Sequence, residues 1–419
     1  MADTTRAAFP KGDRPWSDLE REMRQRTSDD ADWRAGRTAI FFFMADQEAY
    51  EVGKRAFMAF FSENALGAAR AYPGLAAMER EVLDYGLDLL SAPEGGRGVF
   101  TTGGTESILL ATKAARERHR ALKSHNPGAP LNIVMPVTGH PAFDKAAILM
   151  DVEVRRAPLD PDRRVNVEAL RNLIDENTMM VVASAPCFPH GVIDPIGEVS
   201  AVAEAAGVWM HVDACVGGWI APWFERIGRG TPVFDFRHSG VRSISADLHK
   251  FGFAPKPSST VFFREGEDLD RSTFRLGYWP SGMYTTATMS GSRPGAAVAA
   301  AWAVINHLGV EGYTRAARNL SAMVDRYVEG ITAIEGLELW AKPDVTIINF
   351  GSNAFDIYAV AEQMRAKKWI PGLTSAPRGM HTMLSMQHEP AREQYLADLR
   401  ESVAAVRAAK SKSDLTATY

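Results

Sequence analysis

The sequence predicts an α/β fold: a mostly parallel sheet flanked by helices, followed by a smaller C-terminal α+β domain. Three observations carry that expectation. Between about residues 100 and 265 short Val- and Ile-rich runs alternate with helical stretches, the rhythm of βα units. One of those runs, "GVWMHVDACV", is apolar along its length and bounded by glycines, the pattern of a strand covered on both faces. After about residue 295 the rhythm changes to long helices followed by two or three strands and a last helix.

The elements follow in order. Residues 1 to 70 form a helical arm, in which "SDLEREMRQR" opens on a Ser cap with an acidic first turn and "DQEAYEVGKRAFMAFF" carries apolar residues at helical spacing. "YPGLAAMEREVLDYGLDLL" is a further amphipathic helix after a Pro-Gly break. The strands are "GVF", "LNIVMP", "VEVRRAP", "MMVVASAP", "VWMHVDA", "SISADLH" and "STVFF", with helices such as "TESILLATKAARERHRAL" and "FDKAAILM" between several of them. "GAAVAAAWAVINHLG" and "YTRAARNLSAMVDRYVEGITAI" are helical. "LELWAKPDVTIINFG" and "HTMLSMQ" are strands, and "KSKSDLTATY" is a loose tail. The expected division is an arm over 1–70, a large domain over 71–315 and a small domain over 316–419.

Composition narrows the function. The 419 residues are 46% hydrophobic and 23% charged with a net charge of −4, ordinary for a globular enzyme-sized chain and without the basic excess of a nucleic-acid binder. Two cysteines, Cys187 and Cys215, give no disulfide framework and fit a reducing compartment. The N-terminal stretch is polar, with no leader-like apolar region. The longest apolar run there, "AIFFFMA", falls far short of the ~20 residues that span a bilayer. A soluble, cytoplasmic protein is expected.

Four features carry chemistry. Asp213 lies in the buried strand, and a buried carboxylate without a partner costs several kcal/mol, so it requires a cation. A structural Lys or Arg would serve, as would a protonated ring nitrogen. Gly103 and Gly104 stand between a strand and the helix beginning near Thr105, where free amides bind anions. Taken alone this is more often an ordinary capped turn, and it matches neither a Walker A loop nor a dinucleotide fingerprint. Lys250 follows "SISADLH" amid Phe251 and Phe253, a setting that predicts a depressed pKa and a nucleophilic amine. An isolated lysine is more often a surface one. His140 in "VTGHPAFDKAA" sits at a strand-to-helix turn, where a capping histidine is common. Cys187, His190, His211 and Cys215 invite a zinc reading, which the apolar strand and the missing knuckle spacing disfavour. Taken together and in this order, the phosphate loop, the flat ring, the buried acid and the downstream lysine are what pyridoxal 5′-phosphate requires.

The segments "TTGGTESILLATKA", "GHPAFDKAA", "SAPCFPHGVIDPI", "HVDACVGGW", "SISADLHKFGFAPK" and "MYTTATMSGSRPGAAVAAAWAVINHLGVEGY" resemble the sphingosine-1-phosphate lyase branch of the group II pyridoxal-phosphate decarboxylases, of fold type I. The resemblance runs from about residue 36 to the C-terminus. It implies Lys250 as the Schiff-base lysine, Asp213 as the pyridinium partner, His140 as the ring-stacking residue and Gly104 and Thr105 as phosphate ligands. His249 would lie beside Lys250, and Tyr284 would sit on a loop over the site as a proton donor. The "GSRPG" loop would bring Ser292 from a partner subunit, which implies a homodimer with shared sites acting on a small-molecule amine.

Two departures concern the substrate. The branch holds a substrate phosphate with a Tyr, a His and a Lys. The Lys is present as Lys256. Gly67 or Ala68 stands where the His belongs and Phe43 where the Tyr belongs, which favours a weakly held or absent phosphate unless Arg37, Arg70 or Arg378 substitutes. Three functions remain open at this point: retro-aldol cleavage of a β-hydroxy amine, α-decarboxylation of an apolar or aromatic amino acid with "AIFFF" as the substrate wall, and a catalytically inert scaffold.

Overall fold

The computed structural model describes residues 6–122 and 129–418. Seven strands form the central sheet: β1 (Arg97–Thr101), β2 (Asn132–Pro136), β3 (Glu153–Ala157), β4 (Thr178–Ser184), β5 (Trp209–Asp213), β6 (Val241–Ala246) and β7 (Ser259–Phe263). Their order is β1-β7-β6-β5-β4-β2-β3. Pairing is parallel from β3 to β6, and β7 runs antiparallel to both β6 and β1. All strands but β7 therefore end on one edge, the edge at which open α/β sheets bind ligands.

The apolar strands are explained by cover on both faces. Ile133, Met135, Met180, Val182 and Phe263 pack under the helices Gly104–Leu122 and Ala142–Met150. Their neighbours Val134, Val181, Ala183, Val212 and Phe262 share the other core with the helices Ile196–Ala206 and Gly295–Thr332. Adjacent residues thus serve opposite faces, as the strand period demands.

Before the sheet stand the helices Trp16–Arg26, Gln47–Ala59 and Pro73–Leu89. The expected Ser cap is corrected: Pro15 precedes the first helical residue, its carbonyl takes the Asp18 amide at 3.1 Å, and Ser17 falls inside the first turn. Proline with its preset φ serves at a helix start. The run "AIFFF" is neither helix nor strand. It is held by backbone bonds from Ala39 to Ile370 (3.0 Å) and from Met383 to Ala39 (2.8 Å).

A short hairpin, β8 (Phe274–Leu276) with β9 (Tyr284–Thr286), follows the large sheet. The C-terminal part has an antiparallel sheet of β10 (Glu338–Leu339), β11 (Ile347–Gly351), β12 (Gly372–Ser375) and β13 (Arg378–Met383), in the order β10-β11-β13-β12. The helices Ile357–Ala366 and Arg392–Ala409 accompany it. Residue 315, the expected border, lies within the helix Gly295–Thr332, which breaks at Gly309 (φ 54°).

Candidate active site

β5 ends on Asp213, paired in register with Ser184 of β4 and Ser245 of β6. The carboxylate is buried, and its Oδ1 takes two long hydrogen bonds, from the Cys215 amide at 3.2 Å and the Ser245 hydroxyl at 3.3 Å. No ion pair among the described residues involves Asp213; the nearby cations are paired elsewhere. His211, Asp213 and Cys215 do share one face, since all three reach the Ser245 hydroxyl. The His211 ring is occupied by Ser243 (2.7 Å) and Ser245 (3.2 Å), and burial pushes its pKa down to about 4.

The next strand brings the lysine and a second acid. β6 ends at Ala246, and Asp247 turns inward so that its Oδ2 lies 2.9 Å from Lys250 Nζ and 3.6 Å from His249 Nε2. Its Oδ1 accepts from Ser259 at 2.5 Å. Ser259 is joined to Ser107 (3.0 Å) and Ser107 to Thr101 (2.6 Å), a buried chain of hydroxyls linking β7, the helix Gly104–Leu122 and β1. Burial alone would raise the Asp247 pKa, but Lys250 and His249 hold it below its ordinary value. The expected depression of Lys250 is corrected by the same contact. Burial does push the lysine down, yet Asp247 outweighs it and the net shift is upward. His249 is lowered by burial against the pull of Asp247. Its Nδ1 accepts the Ser258 amide at 3.3 Å, which leaves the proton of the neutral ring on Nε2.

The glycine loop faces this cluster. A Cβ added at Gly104 would come within 2.7 Å of Cys215 Sγ and 3.0 Å of Asp247 Oδ1, so any side chain there would displace the acid from Lys250. One added at Gly103 would point at His249, with Cε1 the nearest atom at 3.8 Å. Gly104 and Thr105 open the helix, and their amides have no partner within it. His140 is half-buried, its Nδ1 accepting the Ala142 amide at 3.1 Å. Burial lowers its pKa, while the charges of Asp213, Lys250 and Asp247 all act on it, which places its ring in the same cluster.

Two expected residues are held by other contacts. Ser292 is exposed and accepts from the Asn64 side-chain amide at 3.0 Å. Tyr284 packs against Trp279 and Phe274, with its hydroxyl 3.4 Å from where a Gly291 Cβ would stand. Glu106 connects this region to the glycine loop: it accepts from the Thr102 amide and hydroxyl (both 2.7 Å) and from the Met289 and Ser290 amides (2.8 and 3.2 Å).

A cavity of about 380 Å³ opens from His249 toward the surface, walled by Phe43, Phe57 and Phe253 with Tyr50, Lys54 and Lys256. Phe43 packs edge-on to Phe251 at 5.0 Å. Lys256 donates to the Phe41 carbonyl at 2.7 Å. The arginines weighed as replacements lie outside the cavity lining. Arg37 stacks over Trp369 at 4.0 Å, Arg378 over Tyr358 at 4.0 Å, and Arg70 belongs to the short helix Ala68–Ala71.

These residues fit pyridoxal 5′-phosphate on the structure's own terms. A buried carboxylate has no ion-pair partner among the described residues, a glycine loop with open amides faces the cluster, and an amine stands beside an acid that governs its proton. Comparison with known proteins agrees. Residues 62–352 match the family model described as the pyridoxal-dependent decarboxylase conserved domain. The chain belongs to the pyridoxal-dependent decarboxylase family, within its sphingosine-1-phosphate lyase branch, and its cofactor is pyridoxal 5′-phosphate. It is 40% identical over 342 residues to the sphingosine-1-phosphate lyase of Arabidopsis thaliana, covering 80% of this chain and 62% of that protein. The structure of the Burkholderia pseudomallei sphingosine-1-phosphate lyase superposes with a TM-score of 0.90 at 35% identity, over 97% of this chain and 94% of that one. A probable L-tyrosine/L-aspartate decarboxylase of Methanothermobacter thermautotrophicus is 34% identical over 77% of this chain and 86% of that protein. Among the described residues no helix is long and apolar enough to cross a membrane.

Proposed function

We propose that the chain is a carbon–carbon lyase that splits a β-hydroxy amine into an aldehyde and a smaller amine. The carrying observation is the apolar cavity that ends on His249, beside the Lys250–Asp247 pair, in a chain whose lyase relatives match along most of its length. When bound, pyridoxal 5′-phosphate supplies an electron sink that weakens the bonds at the carbon bearing the substrate amine.

The residues divide the work as follows. The Gly104 and Thr105 amides would hold its phosphate, His140 would stack on its ring, and Asp213 would keep the ring nitrogen protonated. Lys250, whose amine lies 2.9 Å from Asp247, would hold the cofactor and would be free once substrate is bound. The freed Lys250 amine, whose proton affinity Asp247 raises, takes the proton from the β-hydroxyl as the Cα–Cβ bond breaks. His249 Nε2 already carries a proton, so it donates rather than accepts. Tyr284 returns a proton to Cα. The cavity wall, Phe43 included, holds the apolar part of the substrate, and Lys256 meets its polar end. Ser292, exposed here, serves the cofactor phosphate of a second subunit in a homodimer. The protein acts in the cytoplasm.

Decarboxylation uses the same cofactor and a different bond at Cα, and it is less favoured because the Arabidopsis lyase shares 40% identity with this chain and the tyrosine/aspartate decarboxylase 34%. The test is a product assay on the holoenzyme with a panel of β-hydroxy amines and amino acids. Aldehyde formed in step with amine is expected, and carbon dioxide released without aldehyde overturns the reading.

A further inference from the structure

The substrate cavity has a second cation that sequence alignment alone does not bring to it. Lys54 stands on the helix Gln47–Ala59, away from every segment in which the family pattern places a substrate ligand. It lines the cavity together with its neighbour Gly53. Gly53 faces Pro255, and a Cβ built on it would lie 3.5 Å from Pro255 Cδ and 3.1 Å from Val304 Cγ2. The tighter of the two distances is to Val304, and Pro255 of the "FAPKP" segment stands at ordinary van der Waals contact. Lys54 and Lys256, each next to one member of this contact pair, then line the same cavity.

The surroundings of the two ammonium groups point to an anion. None of the described residues lining the cavity is acidic. Lys54 Nζ has a carboxylate only at 3.9 Å, Glu51 on its own helix, with both side chains largely exposed. Lys256 is satisfied by a neutral carbonyl, that of Phe41. Tyr50, one turn before Lys54, lines the same wall and offers a hydroxyl. The rest is apolar: Phe42, Phe43, Phe57, Met58 and Phe253. Two cations and a phenol lining one aromatic cavity, with no carboxylate among the described lining residues, complement an amphiphile with an anionic head.

We propose that Lys54 is a specificity-determining residue that, with Lys256 and Tyr50, binds a phosphate monoester on the substrate. This role rests on the lyase reading for its place in the reaction. It fills the gap left by Gly67 and Phe43, since the lost His and Tyr ligands are replaced from a helix that alignment by motif does not consult.

The test uses the holoenzyme with two readouts. In the first, octyl phosphate is titrated calorimetrically. Lys54→Met should weaken its binding roughly 10- to 100-fold, the span of one charged hydrogen bond. Lys54→Arg should restore most of it, and Arg55→Met, next door on the same helix, should leave it unchanged. In the second, aldehyde release is followed with a long-chain 2-amino-3-hydroxyalkyl phosphate and with its dephosphorylated analogue. Lys54→Met should raise KM for the phosphorylated compound alone. Octyl phosphate binding by Lys54→Met equal to wild type overturns the assignment, as does an equal loss with both substrates. If wild type releases no aldehyde while octyl phosphate binding still depends on Lys54, the lyase reading falls and the anion site stands.

Discussion

Asp213 and Asp247 are both buried carboxylates at the ends of adjacent strands, and their partners set them apart. Asp247 is satisfied by Ser259 and Lys250, whereas Asp213 has only two long hydrogen bonds. Asp213→Asn keeps the shape of the side chain, so the fold and melting temperature should hold. Turnover should fall by several orders of magnitude, because a neutral pyridine is a poor electron sink. Turnover equal to wild type would contradict the pairing. Asp247 is expected to act on the lysine. Because it keeps Lys250 protonated to higher pH than an ordinary lysine, capture of added cofactor by the stripped enzyme should quicken as pH rises toward the lysine's own range. In Asp247→Asn that rise should begin at lower pH. Stopped-flow absorbance against pH checks this, and superimposable profiles would show that Asp247 does not govern the amine. The sequence disclosed Asp213 and Lys250 through burial pattern and order. Asp247 was present in "SADLHK" all along, but only the fold shows that it turns inward and Ser259 of β7 meets it.

At the scale of the element, the turn after β5 is packed with almost no tolerance. A Cβ on Gly217 would stand 2.2 Å from the Ala185 carbonyl oxygen, and one on Gly218 would stand 2.5 Å from Ala246 Cβ. Gly217→Ala should therefore destabilise the protein by about 1–3 kcal/mol, the usual range for overpacking. It should also loosen cofactor binding by shifting Asp213. Calorimetric unfolding with cofactor content measured on the same sample tests both, and an unchanged melting temperature would show that the turn relaxes freely. Strands covered on both faces, such as β4 and β5, were legible because they write an unbroken apolar run, whereas the half-buried edge strand β3, "EVRRA", was read from its place in the βα rhythm. The β8–β9 hairpin was not legible, since three-residue strands half exposed to solvent carry no period. The helix Ile357–Ala366 was also hidden: "IYAVAEQMRA" is short, and its Asp356 cap stands in a loop without other signals. Lys54 lay in a helix correctly expected from its spacing, but that it, and not its neighbour Arg55, lines the cavity is seen only once the fold brings that helix beside Pro255 and Lys256, a contact between distant segments.

For the whole molecule, three buried histidines set the acid limit. Burial holds His190, His211 and His381 near a pKa of about 4, against an ordinary 6.5. Below pH 6.5 the unfolded chain takes up protons at these sites and the folded one does not, so stability falls as pH drops from 6.5 toward 4. Asp194 works the other way: burial pushes its carboxyl up to about 6, and protonation there favours the folded form. The three histidines outweigh it. The melting temperature should drop steeply over that window and less steeply in His381→Gln; parallel curves would show that His381 is not part of the limit. A homodimer with shared sites predicts that two impaired variants, Lys250→Ala and Ser292→Ala, regain activity when mixed, and sedimentation should show a dimer. An active monomer would remove the shared site. Attachment of the cofactor at Lys250 underlies each of these expected outcomes. Borohydride reduction of the holoenzyme followed by peptide mass mapping measures this directly. The cofactor's mass should appear on the peptide containing "SADLHK", at Lys250, and be lost in Lys250→Ala; an adduct on Lys256, or no adduct on any lysine, would contradict the account.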